Sequence, residues 1–129
     1  MRRAAELYKT YAREVPGGEN AVVAVYDQLC QSVLVARRAI EAGELELAHR
    51  NLLASQDVLS SLAQAQAQDQ SFAGGENLTS LLLYCRQELI EANLKKDTGR
   101  LGPVLTVLGT LRDAFMEASH QLHGGGDER

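Results

Sequence analysis

The chain has 129 residues, 45% of them hydrophobic but only 5% aromatic with no Trp, and a formal net charge of −4 from 17 acids against 13 bases. That length holds one domain around a single core, and a core of Leu, Val and Ala suits helix packed on helix. The basic residues are scattered, paired only at Arg2-Arg3, Arg37-Arg38 and Lys95-Lys96, which argues against nucleic acid as a partner because that requires a clustered basic face. No apolar run approaches the roughly 18 residues of a membrane helix, so no membrane insertion is expected.

Residues 1–19 read as an N-terminal arm carrying Leu7, Tyr8 and Tyr11, set off by Pro16-Gly17-Gly18. Met1 to Val15 lacks the continuous apolar region of a secretory signal. A four-helix bundle over 20–123 follows, with helices expected at about 20–42, 44–67, 77–97 and 99–122. Each shows apolar residues returning at steps of three and four, which places them on one helix face.

Helix one has Asn20 as N-cap, the stripe Val22, Tyr26, Leu29, Val33, Ala36 and Ile40, and Gly43 as its stop. Helix two carries Leu45, Ala48, Leu52, Ser55, Leu59 and Leu62, with Ser55 the weak point. The polar run Gln64 to Ser71 and then Phe72-Ala73-Gly74-Gly75 form the longest connection. Helix three, capped by Asn77, carries Leu78, Leu82, Cys85, Leu89 and Ala92.

Helix four carries Leu101, Val104, Leu108, Leu111, Phe115, Ala118 and Leu122. Asp97 or Thr98 is its cap, and Gly99, Gly102 and Pro103 predict a kink or a delayed start, because proline is tolerated only near a helix beginning. Residues 124–129 are expected to be a disordered tail. Short links make consecutive helices antiparallel neighbours, so the fold class is an all-α, up-down four-helix bundle. An echo between Ile40-Glu41-Ala42 and Ile90-Glu91-Ala92 hints at duplication.

Catalytic chemistry finds little support. Glu46-Leu47-Ala48-His49 and Glu117-Ala118-Ser119-His120 have the Glu-x-x-His spacing of di-iron bundles, but both glutamates fall off the apolar stripes. In an up-down bundle the two histidines also stand roughly 24 Å apart, about 16 residues of rise. A phosphotransfer histidine would lie exposed near mid-helix, and neither His49 nor His120 does. No phosphate loop or paired nucleophile and base is present, so no metal, no cofactor and no enzymatic activity are expected. Cys30 and Cys85, widely spaced among apolar neighbours, read as reduced, buried packing groups of a cytoplasmic protein rather than a redox switch.

The anomaly lies in apolar residues outside the stripes: Val35, Leu47 and Leu53 on helices one and two, and Leu83, Tyr84, Ile90 and Leu94 on helix three. Four on one helix suggest a contiguous patch, and such patches mark partner surfaces. The arm could fold over it, a partner's amphipathic segment could lie in the same groove, or helix three could support a homodimer.

Several stretches carry a resemblance. They are Tyr8-Lys9-Thr10-Tyr11, Tyr26-Asp27, Gly74-Gly75 with Asn77-Leu78, Leu89-Ile90-Glu91-Ala92-Asn93 with Lys95-Lys96-Asp97, and Leu111-Arg112-Asp113-Ala114-Phe115. In order and spacing the chain resembles flagellar secretion chaperones of the FliS type from about Tyr8 to Leu122. The resemblance implies a cytoplasmic, non-enzymatic helical bundle that binds the disordered C-terminal segment of flagellin and prevents premature polymerisation. It also implies delivery of that client to the flagellar export apparatus, with Tyr8 and Tyr11 on an arm that can cover part of the site. The chain departs from the pattern at Val15-Pro16-Gly17-Gly18, at Gln28 where glycine is usual, and at Phe115 where Trp is frequent.

Overall fold

The computed structural model describes residues 19–68 and 75–127, and every regular element among them is helical. These elements are α1 (Glu19–Glu41), α2 (Leu45–Gln68), α3 (Gly75–Lys95) and α4 (Leu101–Asp127), with a 3-10 turn Thr98–Arg100 leading into α4. Tyr8 and Tyr11 lie outside the described residues, as does Phe72-Ala73-Gly74.

The four stripes converge on one core. Val22, Tyr26, Leu29, Val33, Ala36, Leu52, Leu59, Leu82, Cys85, Leu89, Leu101, Val104, Leu108 and Phe115 are all buried in a single cluster. Each large side chain withdrawn from water contributes about 1.5–3 kcal/mol before entropy costs. Ile40 and Leu111 pack against this cluster only partly buried. Leu45 departs from expectation: it is 49% exposed, because as the first residue of α2 it stands at the helix end. Three polar residues are buried: Ser55, which the helix-two stripe included as its weak point, and Gln66 and Asn93, which the periodic pattern missed.

α1 packs against α2 and α4, α2 against α3, and α3 against α4, the last contact being the smallest. Tyr26 stacks on Phe115 with ring centroids 5.3 Å apart and planes 25° from parallel. One residue along, Asp27 Oδ1 accepts from Arg112 Nε at 2.7 Å. The exposed ion pair adds little stability by itself, but together the two contacts fix the rotation of α4 against α1.

Two helices end in the same way. At α1, Gly43 takes φ +79°, Gly43 N–H bonds Ile40 O at 3.1 Å and Glu44 N–H bonds Ala39 O at 2.8 Å. This is a Schellman motif, which satisfies carbonyls left over by the helix end. At α3 the left-handed residue is Lys96, φ +51°, with Asp97 N–H bonded to Ala92 O at 3.1 Å. The two caps are 53 positions apart, whereas the Ile-Glu-Ala echo repeats at 50, so the echo does not mark equivalent structural positions.

Helix starts differ from the sequence expectation. α1 begins at Glu19 with Asn20 already inside it, and α3 begins at Gly75 with Asn77 exposed in its first turn. A cap residue is itself non-helical; extending a formed helix by one or two residues is favourable once its nucleus is fixed by packing. The start of α4 is delayed as expected: Asp97 Oδ1 accepts from Gly99 N–H at 2.9 Å to open the 3-10 turn. Pro103 then falls in the first turn of α4, where its missing N–H is not needed. α4 extends beyond residue 122 to Asp127.

Two glycine substitutions separate backbone strain from packing. Neither Gly43 nor Gly109 has any atom within 4 Å of an added Cβ, but only Gly43 is left-handed. Gly43→Ala should therefore cost about 1–2 kcal/mol, and Gly109→Ala, in the middle of α4, should add about 0.5–1 kcal/mol. Urea unfolding of the two variants checks both signs.

Candidate functional site

Residues three, four, seven and eleven apart share one helix face, and this spacing sorts the off-stripe apolar side chains. On α2, Leu45, His49 and Leu53 stand one turn apart. On α3, Leu83, Ile90 and Leu94 stand on one face. Leu94 is 74% exposed, Leu83 46% and Leu53 42%, while Ile90 is half-buried. The two faces meet where His49 touches Asn93, so Leu45 and Leu94 stand at the same end of an apolar strip along the outside of the α2–α3 seam. Leu45 belongs to this strip, although its periodicity suggested core.

Val35 and Leu47 belong elsewhere, and both are half-buried rather than exposed. Val35 shares a face of α1 with Gln28 and Ser32, and Leu47 shares a face of α2 with Ala54 and Val58. These faces border an apolar indentation of about 230 Å³ lined by Val25, Gln28, Leu29, Ser32, Ala54, Ser55 and Val58. It exists because Ser32, Ala54 and Ser55 are too small to fill the α1–α2 seam. Ser55 Oγ donates to Asn51 O at 2.9 Å and Gln28 Nε2 donates to Ser32 Oγ at 3.3 Å, so the polar groups there are engaged and the surface between them is apolar. Gln28 is exposed at the rim; its extra bulk does not obstruct a helix contact.

Tyr84 joins neither feature. It is 47% exposed and shares its face of α3 with Glu88 and Glu91. The sequence grouping of nine client positions thus resolves into a strip (Leu53, Leu83, Ile90, Leu94), an indentation flank (Val35, Leu47), a separate Tyr84, and the undescribed Tyr8 and Tyr11.

A polar node lies under the strip. Asn93 is buried, and its Nδ2 lies 2.9 Å from His49 Nδ1. Lys96 Nζ donates to Asn93 Oδ1 at 2.6 Å and to Asn93 O at 2.7 Å. His49 Nδ1 also lies 3.2 Å from Asn93 Oδ1; with Lys96 on Oδ1, donation from Asn93 Nδ2–H to an unprotonated Nδ1 is the arrangement that pairs both amide atoms. The same lysine bonds offset the cost of its left-handed backbone and satisfy a carbonyl at the end of α3.

Glu46, Glu117 and His120 are exposed, and among the described residues no group of three or more His, Cys, Asp or Glu is placed to hold a metal ion. Both cysteines are free, Cys85 buried and Cys30 only half-buried. Burial, aided by the charge of Glu88, pushes the Cys85 thiol up to about 11. Burial and then Asp27 also raise Cys30. No described helix is long and apolar enough to cross a membrane.

A family model described as Flagellar protein FliS matches residues 1–122. The chain belongs to the FliS family. Among curated relatives, the flagellar secretion chaperone FliS of Bacillus subtilis (strain 168) is 26% identical over 94 residues, covering 73% of this chain and 69% of the relative. Among the described residues, two sets of positions that carry the FliS resemblance are joints of the bundle: Tyr26-Asp27 meets Phe115 and Arg112, and Asn93, Lys96 and Asp97 close α3 and open the next turn. They are structural rather than part of the apolar strip, to which Ile90 belongs.

Two measurements follow. His49→Ala leaves the buried Asn93 amide donor without its acceptor and should cost about 1–2 kcal/mol in urea unfolding, although His49 itself is exposed. For the thiols, burial suppresses ionisation in the fold, so the protonated folded state is favoured. The contribution of Cys85 is intact below its ordinary value of 9.0 and is lost as pH climbs toward about 11. Wild type should lose urea resistance over that window relative to Cys85→Ala, and native alkylation should modify Cys30 before Cys85.

Proposed function

We propose that this chain is a cytoplasmic flagellar export chaperone that holds the C-terminal segment of flagellin, or of a related secreted filament subunit, against the α2–α3 strip. The single observation that carries the assignment of the surface is a row of leucines on one face with exposures of 42–74% in a chain of the FliS family. Membership of that family and the name of the Bacillus relative support the export role. We take the bundle to run up and down, supported by the three-residue turn Ala42–Glu44 and by the contact of His49, early in α2, with Asn93, late in α3.

The mechanism needs no bond chemistry. A client segment that is disordered when free lays an amphipathic helix along the strip and buries its own polymerisation surface. Four leucines on this side contribute roughly 1.5–3 kcal/mol each when fully covered. Part of that gain is cancelled by ordering the client, which leaves enough for micromolar or tighter binding. The indentation between α1 and α2 offers a second, smaller apolar contact for another piece of the same segment. Delivery to the export apparatus follows from keeping the segment unpolymerised until transfer.

The test is calorimetric titration with the C-terminal segment of flagellin. Leu83→Glu and Leu94→Glu, both on exposed positions, should each weaken binding at least tenfold while leaving thermal unfolding within about 0.5 kcal/mol of wild type. Full affinity with both charges present removes the strip from the site. A stable homodimer, indifferent to the segment in sedimentation, removes the client reading itself.

A further inference from the structure

We infer that Arg86 makes the α2–α3 strip selective for an amphipathic helix bearing a carboxylate side chain. The inference rests on the reading of the strip as a client surface and names the chemistry that fits it.

Arg86 stands seven residues, two turns, before Asn93, and so lies on the same line of α3 that meets α2. Its side chain is half-buried, and its Nε is fully buried without a hydrogen-bond partner. It forms no ion pair with any described residue. Arg100 Nε is likewise buried without a hydrogen-bond partner, but its Nη1 bonds Glu88 at 3.3 Å, and Arg112 bonds Asp27 at 2.7 Å, so each of those guanidinium groups has a carboxylate that Arg86 lacks. An arginine can pack its stem into a seam and bring its head to the surface. Here that leaves a guanidinium partly withdrawn from water and short of an acceptor. A carboxylate supplies one in the bidentate geometry that a guanidinium favours.

A second donor reinforces the preference. When Asn93 Nδ2–H donates to His49 Nδ1, the ring proton is on Nε2, which makes the exposed His49 a donor between Leu45 and Leu53. The strip is therefore apolar with donors set into it, and its complement is apolar with acceptors.

Charge also chooses between occupants. A two-fold contact whose axis passes close to Arg86 would bring the unpaired guanidinium of one copy against that of the next, cation against cation. A partner carrying an acid meets no such penalty. The position along the strip selects the source of the carboxylate. Arg86 lies between Leu83 and Leu94, which are separated by about 16 Å of helix rise. A helix covering both leucines therefore passes over Arg86, which stands about one turn from Leu83 and two from Leu94, and offers it a side chain and not a chain end.

The experiment titrates wild type, Arg86→Gln and Arg86→Lys with two probes. One is the C-terminal segment of flagellin, used as the acid form, with each Asp or Glu neutralised in turn, and with its terminus amidated. The other is a designed amphipathic helix with a leucine face and one central Glu, together with its Gln counterpart. Arg86→Gln should weaken the acidic probes about tenfold, and Arg86→Lys should recover only part of the loss. The effect should vanish against the one neutralised peptide whose acid it contacts. Equal affinity of wild type and Arg86→Gln for the flagellin segment overturns the inference and leaves the chaperone reading intact. Loss coupled to amidation of the terminus overturns the assignment to a side chain. Binding of the designed Glu helix over its Gln twin, with no binding of the flagellin segment, keeps the inference and removes the flagellin client. Binding of neither probe removes both.

Discussion

Burying Asn93 sets the rotation of α3, and the exposed surface depends on that rotation. Its amide must find both a donor and an acceptor partner in the α2–α3 interface, since an unsatisfied buried amide costs about 1–3 kcal/mol. Lys96, three residues on, meets Oδ1 locally at the end of α3, whereas Nδ2 reaches His49 only across the seam, at this setting of the helix. Turning α3 by one residue, 100°, so that Leu94 took the place of Asn93 would carry the Asn93 amide into the fully buried site of Ala92 and away from His49. The node therefore holds four apolar residues where water, and not the core, covers them.

This explains which parts of the fold were legible in the chain. The 3.6-residue period sees only apolar against polar, so it placed Leu52, Leu82, Leu89 and Leu108 correctly at the centre of the bundle. It had no means of recognising Asn93 or Gln66 as buried, because both are polar types whose burial depends on partners or neighbours remote in sequence. Leu45 failed for a different reason: a periodic position at the first residue of a helix has no turn before it and no neighbour above. Pairs such as Tyr26 with Phe115 and Asp27 with Arg112 are separated by more than 80 positions, and no local pattern could join them. All four of these residues lie in stretches that carry the FliS resemblance, and their contacts are scaffold.

The candidate surface was legible in part for the same physical reason. Leu53, Leu83, Ile90 and Leu94 stood out because they broke the period, but breaking the period says only that a residue leaves the core. Whether such residues gather on one side depends on which helices are neighbours. Here the contact of α2 with α3 unites four of them and excludes Tyr84, which shares a face with Glu88 and Glu91. The indentation left a weaker trace, the serine at position 55 where a leucine would continue the stripe. Its other small residues, Ser32 and Ala54, acquire meaning only when α1 and α2 are placed side by side.

The two apolar features share α2, and the residues between them constrain anything that uses both. Glu46, Arg50, Asp57 and Ser61 form an exposed polar crest on α2, with Leu45 and Leu53 on one flank and Leu47, Ala54 and Val58 on the other. A continuous amphipathic helix cannot lie on both flanks, because its single apolar stripe would have to cross that crest. A disordered chain can, by placing separate apolar pieces on either side and leaving a polar, extended stretch over the charges. The cost is the entropy of ordering two pieces instead of one. The return is that the second piece binds at the effective concentration set by a short linker rather than from bulk solution. For any partner that would use both flanks, an apolar surface divided by a charged ridge thus favours a segment that is unfolded before it binds over a preformed helix of the same composition.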